Sequence, residues 1–433
     1  MHSKVTKGVV LVIAAGMPLA LGAGPAQAAL ALADAVTVPC GEGALGAAIT
    51  AAGNGAILSL APRCTYELTA ALPAISQDLT IAGNDATVER SLAPGTPAFS
   101  ILTVNPDVDL SVSNLNFRNG GSGAGGALGD TPAGGAIDNG GNLAVSGGNF
   151  TDNTAADGGA ILNGDGSLNV TDAVFADNTA NNGGAVENNG AMVLAGSTFT
   201  GNTASEFGGA VATAANSAGA KVTGCEFTGN TAGAGGGIWT TATSTVTGSQ
   251  FRRNNAANGG SLFNDDSLTL TGSQVVGNTA TSGGGMYNDL FGNATVTGTV
   301  FRQNHAVTGG GINNQDVATI SGSHLLGNSA DQLGGGIYTD WVLDVTGSFI
   351  VGNNAASGGG IYNDDAFGPP GTVTLSDSIV AANQPDNCAQ CGPGSGPLRL
   401  RQRLGRTTRR HWPGGRLMTG IAAAVPARGH GLH

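Results

Sequence analysis

A tetrapeptide of the form Gly-Gly-small-apolar occurs ten times in this chain, ending at Ile137, Ile161, Val186, Val211, Ile238, Leu262, Met286, Ile312, Ile337 and Ile361. The steps between these residues are 24, 25, 25, 27, 24, 24, 26, 25 and 24. A period of this size means a repeat architecture, in which each unit buries its apolar face only by stacking on its neighbours. A calcium-binding nonapeptide roll is excluded, because its repeats recur every nine residues. A flexible glycine-rich linker is excluded as well, because the 75 glycines are phased with apolar residues.

A second motif runs in phase with the first: an apolar residue, usually Phe, followed three residues later by Asn. It begins with Phe150/Asn153 and ends with Val380/Asn383. Between the motifs lie short alternating segments such as Leu143-Ala-Val145 and Leu268-Thr-Leu270, usually followed by Thr-Gly or Ser-Gly. No segment keeps a 3.6-residue period over helical length. Each unit therefore reads as three short strands separated by turns. The geometry that fits is an all-β chain wound as a parallel β-helix (a solenoid), with about 24–25 residues per rung and like residues stacked ~4.8 Å apart. The Phe column becomes an internal stack. The Asn column, Asn153, Asn178, Asn202, Asn230, Asn254, Asn278, Asn304, Asn328 and Asn353, becomes a structural ladder of side-chain amides. A further polar column, Asn or Thr in every rung, lies two residues after each Gly-Gly motif's apolar residue.

The ends differ from the middle. Residues 1–28 read as a secretory signal, with Lys4 and Lys7, an apolar stretch from Val9 to Leu21, and a cleavage site at Ala26-Gln-Ala28. The apolar stretch is short for a membrane span, so no transmembrane segment is expected after signal removal. Residues 34–133 read as an N-terminal cap and first rungs, with 44–52 as a capping helix over an otherwise open sheet edge. Cys40 and Cys64 bracket this region, and an exported chain allows a disulfide between them. Residues 134–387 hold the regular repeats. Cys225 reads as buried and unpaired, and Cys388-x-x-Cys391 lacks the context of a redox or zinc motif. Residues 388–433 form a basic, low-complexity tail with the composition of a disordered segment or of a shifted reading frame.

The Gly-Gly-Ala-Ile segments (134–137 and 158–161) and the Phe-x-x-Asn pairs resemble the two signature motifs of polymorphic outer-membrane protein repeats. The resemblance covers about residues 110–383. More broadly, the chain is similar to right-handed parallel β-helix proteins of the pectin-lyase-like group. Cys64-Thr-Tyr-Glu-Leu-Thr69 and Leu79-Thr-Ile-Ala-Gly83 also resemble secreted actinobacterial β-helix proteins. The resemblance implies a right-handed coil and a role as a surface adhesin or passenger. The chain departs from the repeat family in having no recognisable C-terminal membrane barrel.

A lyase site needs a calcium-binding carboxylate cluster and a base, and a hydrolase site needs carboxylates on neighbouring rungs. Asp265-Asp266, Asp364-Asp365 and Gly429-His-Gly431 carry parts of such patterns in the wrong order and spacing, so no catalytic residue is assigned. Two columns stand out. Asp265, Asp289, Asp340 and Asp364 lie three residues after the Gly-Gly motif's apolar residue, where calcium would bridge like charges on adjacent rungs. Trp239, Phe263, Tyr287, Tyr338 and Tyr362 lie one residue after it. Strand alternation turns them outward as an aromatic stripe, suited to sugar rings or a partner chain or to mutual stacking.

The expectation is a secreted, non-enzymatic surface or adhesin-like monomer that presents an extended face to glycan or cell-surface protein. A polysaccharide lyase or glycoside hydrolase and a purely structural surface protein are the alternatives. Calcium is the one cofactor considered. Residues 34–387 hold 29 acidic and seven basic residues, a net charge of −22, which argues against nucleic acid as a partner.

Overall fold

The structure is a computed structural model that describes residues 35–41, 43–122, 133–364 and 371–391. The proposed signal segment and nearly all of the basic tail lie outside these residues. The chain winds into an all-β parallel solenoid of about 13 turns. Every strand pairs in parallel with the strand one coil away, and like motif positions face each other, as in Ile161↔Val186 and Phe175↔Phe199.

One regular coil shows how the sequence makes the turn. Ile161–Asn163 forms the first strand, Ser167–Thr171 the second and Val174–Ala176 the third. A fourth strand, Thr179–Asn182, then leads into the next Gly-Gly. The expected three strands per unit are thus four over most of the repeat region. The extra strand was hidden because its sequences (Thr-Ala-Asn-Asn, Thr-Ala-Gly-Ala) carry only one inward methyl and no β-rich signature. The first strands stack into a 12-stranded face and the fourth strands into a 7-stranded face. The second and third strands form one 25-stranded sheet, because Leu79–Arg90 and Asp109–Arg118 run unbroken through a bend that later coils make sharply. In those later coils a residue with left-handed backbone turns the corner, such as Asp172 (φ 53) or Gly248 (φ 59). Pairing is continuous across position 133, so the first coils and the regular repeats share one core.

Inside, the rings of Phe117, Phe150, Phe175, Phe199, Phe227 and Phe251 stack with centroids 4.7–5.1 Å apart. Beside them runs the Asn ladder. Asn254 Nδ2 donates to Asn278 Oδ1 (3.1 Å) and to the Phe227 carbonyl (3.0 Å), while Asn254 Oδ1 accepts from both nitrogens of Asn230. The same pattern continues from Asn153 through Asn178, Asn202, Asn230, Asn278, Asn304, Asn328 and Asn353 to Asn383. Each buried amide therefore satisfies itself and the turn that carries it.

Helix Ala44–Ala51 covers the first coil, burying Leu45 and Ile49, and Cys40 is joined to Cys64. Cys225 is buried and free. Cys388 is joined to Cys391, and Cys388–Ala389 still pairs with Ile361–Asn363, so the last strand of the solenoid reaches into the segment read as tail. Among the described residues no helix is long and apolar enough to cross a membrane.

Candidate functional site: a concave corner between two faces

The Gly-Gly pair joins the fourth strand of one coil to the first strand of the next. Gly183 adopts φ 57, and a Cβ on Gly184 would lie 2.1 Å from the carbonyl oxygen of Gly209. Side chains are thus excluded at the apex, and the 7-stranded and 12-stranded faces fold toward each other. Their outward side chains meet. Phe207 stacks on Trp239 at 4.6 Å, and Asn313 Nδ2 donates to Thr308 Oγ1 at 3.2 Å.

The aromatic column lies on the outer surface of the 12-stranded face, in register along the axis. Of the uses read for it, the column shows mutual stacking and not an open platform. Phe263, Tyr287 and Tyr338 are only 8–9% exposed, while Trp239 and Tyr362 are half-buried. The reason is the unforeseen fourth strand, which walls one side of the column, and the close spacing of the coils. Rings one coil apart stack on each other, Phe263 on Tyr287 at 5.3 Å and Tyr338 on Tyr362 at 6.0 Å. Their faces are occupied, leaving edges and hydroxyls toward the outside. Asn313 splits the column into two stacks. It is 1% exposed and its Oδ1 has no partner.

The carboxylates stand beside the rings, at the turn that leaves the 12-stranded face. Backbone bonds hold this turn coil upon coil, from Asp265 N to the Thr240 carbonyl through Asp289 and Asp340 to Asp364. Tyr338 donates its hydroxyl proton to Asp364 Oδ2 at 2.5 Å. Burial, with Asp289 and Asp340 nearby, raises the Tyr287 hydroxyl well above its ordinary range. Burial, with Asp364 and Asp316 adding repulsion, pushes Asp340 up to about 6, and Asp265 is raised by burial and by Asp289. Gln315 takes the column position between Asp289 and Asp340. Among the described residues no three His, Cys, Asp or Glu side chains are placed to hold a metal ion. Two carboxylates per pair fall short of the six to eight oxygens that calcium takes, although Asp265 Oδ1 and Asp340 Oδ1 lack partners. The residues present do not make a calcium cage.

Two groups escaped the sequence reading. On the same turn, Leu290 and Phe291 are 60% and 79% exposed, and two coils further on Trp341 is 53% exposed. The backbone N–H of Phe291 lies near enough to the Asp265 carboxylate to oppose, in part, the upward push of burial. The signal was present in the 26-residue step from Met286 to Ile312, where residues inserted in the turn have no inward position to fill.

The second group lies toward the N-terminus in the same corner. Register places Asp138, Leu162, Glu187 and Ala212 in the column that continues into Trp239. Glu187 is 7% exposed and its Oε2 has no partner. Burial, and then the charge of Asp157 on the opposite wall, push its carboxyl up to about 8. Asp157 accepts a bond from Asn182 Nδ2 at 2.8 Å, and Asp138 is raised by burial. The N-terminal half of the column thus mixes two acids, Asp138 and Glu187, with Leu162 and Ala212, and no single residue type marks it in the sequence.

No protein-family model matches the sequence, and no curated protein is significantly similar to it.

Proposed function

We propose that this chain is a secreted, non-enzymatic surface protein of adhesin type that binds glycan along the turn bordering the corner. The observation that carries the reading is the placement of exposed Phe291 and Trp341 two coils apart beside Asp265, Asp289 and Asp340. Flat apolar faces next to carboxylate acceptors match the two sides of a sugar ring, whose C–H face is apolar and whose hydroxyls donate. The stacked stripe backs this edge and holds it rigid. The acidic body favours neutral or amino sugars over anionic polymers. The Gly-Gly-Ala-Ile and Phe-x-x-Asn repeats support the adhesin class, and the leader at 1–28 supports export.

The test is a glycan array probed with the wild-type protein and with the Phe291→Ala/Trp341→Ala variant. Binding by the wild type that the variant loses, with an unchanged melting curve, supports the reading. Equal binding by both, or binding by neither, sinks it.

A glycoside hydrolase is the second reading, favoured by one observation: Glu187, with its raised carboxyl, faces Asp157 across the corner. An acid with a raised carboxyl near a second carboxyl group is the pairing that glycosidic cleavage uses. Release of reducing ends from polysaccharides, abolished by Glu187→Gln, would decide for it.

A further inference from the structure

The outer surface of the third strands changes character along the rod. The central residue of each strand, such as Phe227 or Phe301, lies in the core, so the residues on either side face outward. In earlier coils these outward positions are polar, as in Thr198 with Thr200 and Glu226 with Thr228. Further along they turn apolar: Val276, Val300, Leu326, Phe349, Val351 and Ile379 adjoin one another through the coil-to-coil register. Phe349 is 40% exposed and meets His324 edge-on, with ring centroids 5.0 Å apart. The fold does not demand this change, since the same strand positions carry Thr in earlier coils.

The charge of this face is opposite to that of the rod. From Gln250 to Ala381 its two outward columns hold no acid. Arg252 and Arg302 stand in one of them, two coils apart with Val276 between, and Arg253 follows Arg252 at the turn. Three of the seven basic residues of 34–387 thus gather here. Gln250 Oε1 accepts from Arg252 Nε (3.2 Å) and Nη2 (2.6 Å), which fixes that guanidinium on the face. The ion pairs among the described residues are Arg118 with Asp152 and His305 with Asp331. Among those residues, therefore, no carboxylate pairs with Arg252, Arg253 or Arg302, and no basic group pairs with Asp265, Asp289 or Asp340.

We propose that copies of this chain associate side by side, the acidic turn of one rod seated on the arginine-bearing third-strand face of its neighbour. Charge complementarity names the occupant. Along the turn, Asp289 and Asp340 lie two coils apart with uncharged Gln315 between. Along the face, Arg252 and Arg302 lie two coils apart with uncharged Val276 between. At ~4.8 Å per coil both pairs span ~10 Å, so two arginines meet two carboxylates in one alignment, through charge-assisted hydrogen bonds. Beside the carboxylates, exposed Leu290, Phe291 and Trp341 offer apolar surface to the apolar residues of the face. The contact runs over ~20 Å of rod, the size of a weak interface, so association depends on concentration where the sequence leads one to expect a monomer. It is heterologous, so each pair keeps one free surface of each kind to which further copies add. The turn is also the proposed glycan edge, and a neighbouring rod there excludes glycan. The arginine face takes no part in that reading, so either can fail without the other.

The test is sedimentation velocity of the full chain over a range of concentration and salt. Beside it run Arg252→Glu/Arg302→Glu, Asp289→Arg/Asp340→Arg and an equal mixture of these two variants, with circular dichroism melting as the folding check. The wild type should associate as concentration rises and come apart in about 1 M salt, where charges are screened within ~3 Å. Each variant alone sets like charges against each other and should associate on the order of tenfold more weakly. The mixture should restore association, because the reversed face of one variant meets the reversed turn of the other. A wild type that stays a single chain up to about 1 mM overturns the proposal. So does association that Arg252→Glu/Arg302→Glu leaves unchanged, or a mixture that stays apart although both variants melt as the wild type does. Arginine-dependent binding to phosphatidylglycerol vesicles by a wild type that remains a single chain also overturns it, assigning the face to an anionic lipid surface.

Discussion

The Asn ladder and the corner column occupy equivalent positions in coil after coil, yet one is uniform and the other is not. From Asn153 to Asn383 the same residue recurs; the Asn153 oxygen accepts the Gly120 N–H, and from Asn178 to Asn383 every amide oxygen accepts two N–H groups. In the corner the same register holds acids, aliphatics, rings and an amide, with unpaired oxygens on Glu187 and Asn313. The difference teaches that a position surrounded by backbone groups admits one chemistry. A position on the outer surface of the same strand needs only to tolerate its neighbours. Uniform columns hold the coil together, and variable columns are where coils acquire separate tasks.

The sharpest way to break that comparison is through Glu187. Its carboxyl titrates near 4.5 in the unfolded chain and near 8 in the folded one. The unfolded state therefore gains from ionisation first, and stability should fall as pH rises from about 4.5 through about 8. The loss should be on the order of 5 kcal/mol, which Glu187→Gln should remove. Urea denaturation across this range checks it, and a flat profile for the wild type would show that the corner carboxyl is solvated after all. The ladder should respond to truncation instead of pH. Asn254→Ala strands the Phe227 carbonyl and the bonds of Asn230 and Asn278, and should cost about 3–4 kcal/mol at any pH. Tyr338→Phe deletes a single bond to Asp364 at the corner and should cost about 1 kcal/mol. Phe291→Ala with Trp341→Ala should change stability by less than about 0.5 kcal/mol, because both rings stand out from the rod. A larger loss there would make the exposed edge part of the scaffold.

The sequence made the inward columns legible because each has a strict period and one residue type. The Phe stack, the ladder and the Gly-Gly apex follow from those periods alone. The fourth strand could not, since Thr179–Asn182 and its counterparts need only an Ala inward and obey no alternation that a reader would trust. Without that strand, the residues Trp239, Phe263, Tyr287, Tyr338 and Tyr362 fit an open stripe and a stacked, covered one equally; the 7-stranded face, which partly covers them, decides for stacking. The exposed side chains at Leu290, Phe291 and Trp341 belong to no column; the 26-residue step from Met286 to Ile312 marks a longer turn at Leu290 and Phe291 but says nothing of which side chains it exposes.

The glycine apex has one more consequence. The second glycine of each pair lies against the next coil, which opposes shortening, and backbone bonds such as Gly184 N to the Gly208 carbonyl oppose lengthening, so the rise per coil is held locally. The rod behaves as a ruler whose graduations are whole coils. Duplicating or deleting one 24- or 25-residue segment would move every feature beyond it by a single graduation and leave each internal contact as it was. The distance between two surface features can therefore change only in discrete steps, and selection on reach becomes selection on copy number.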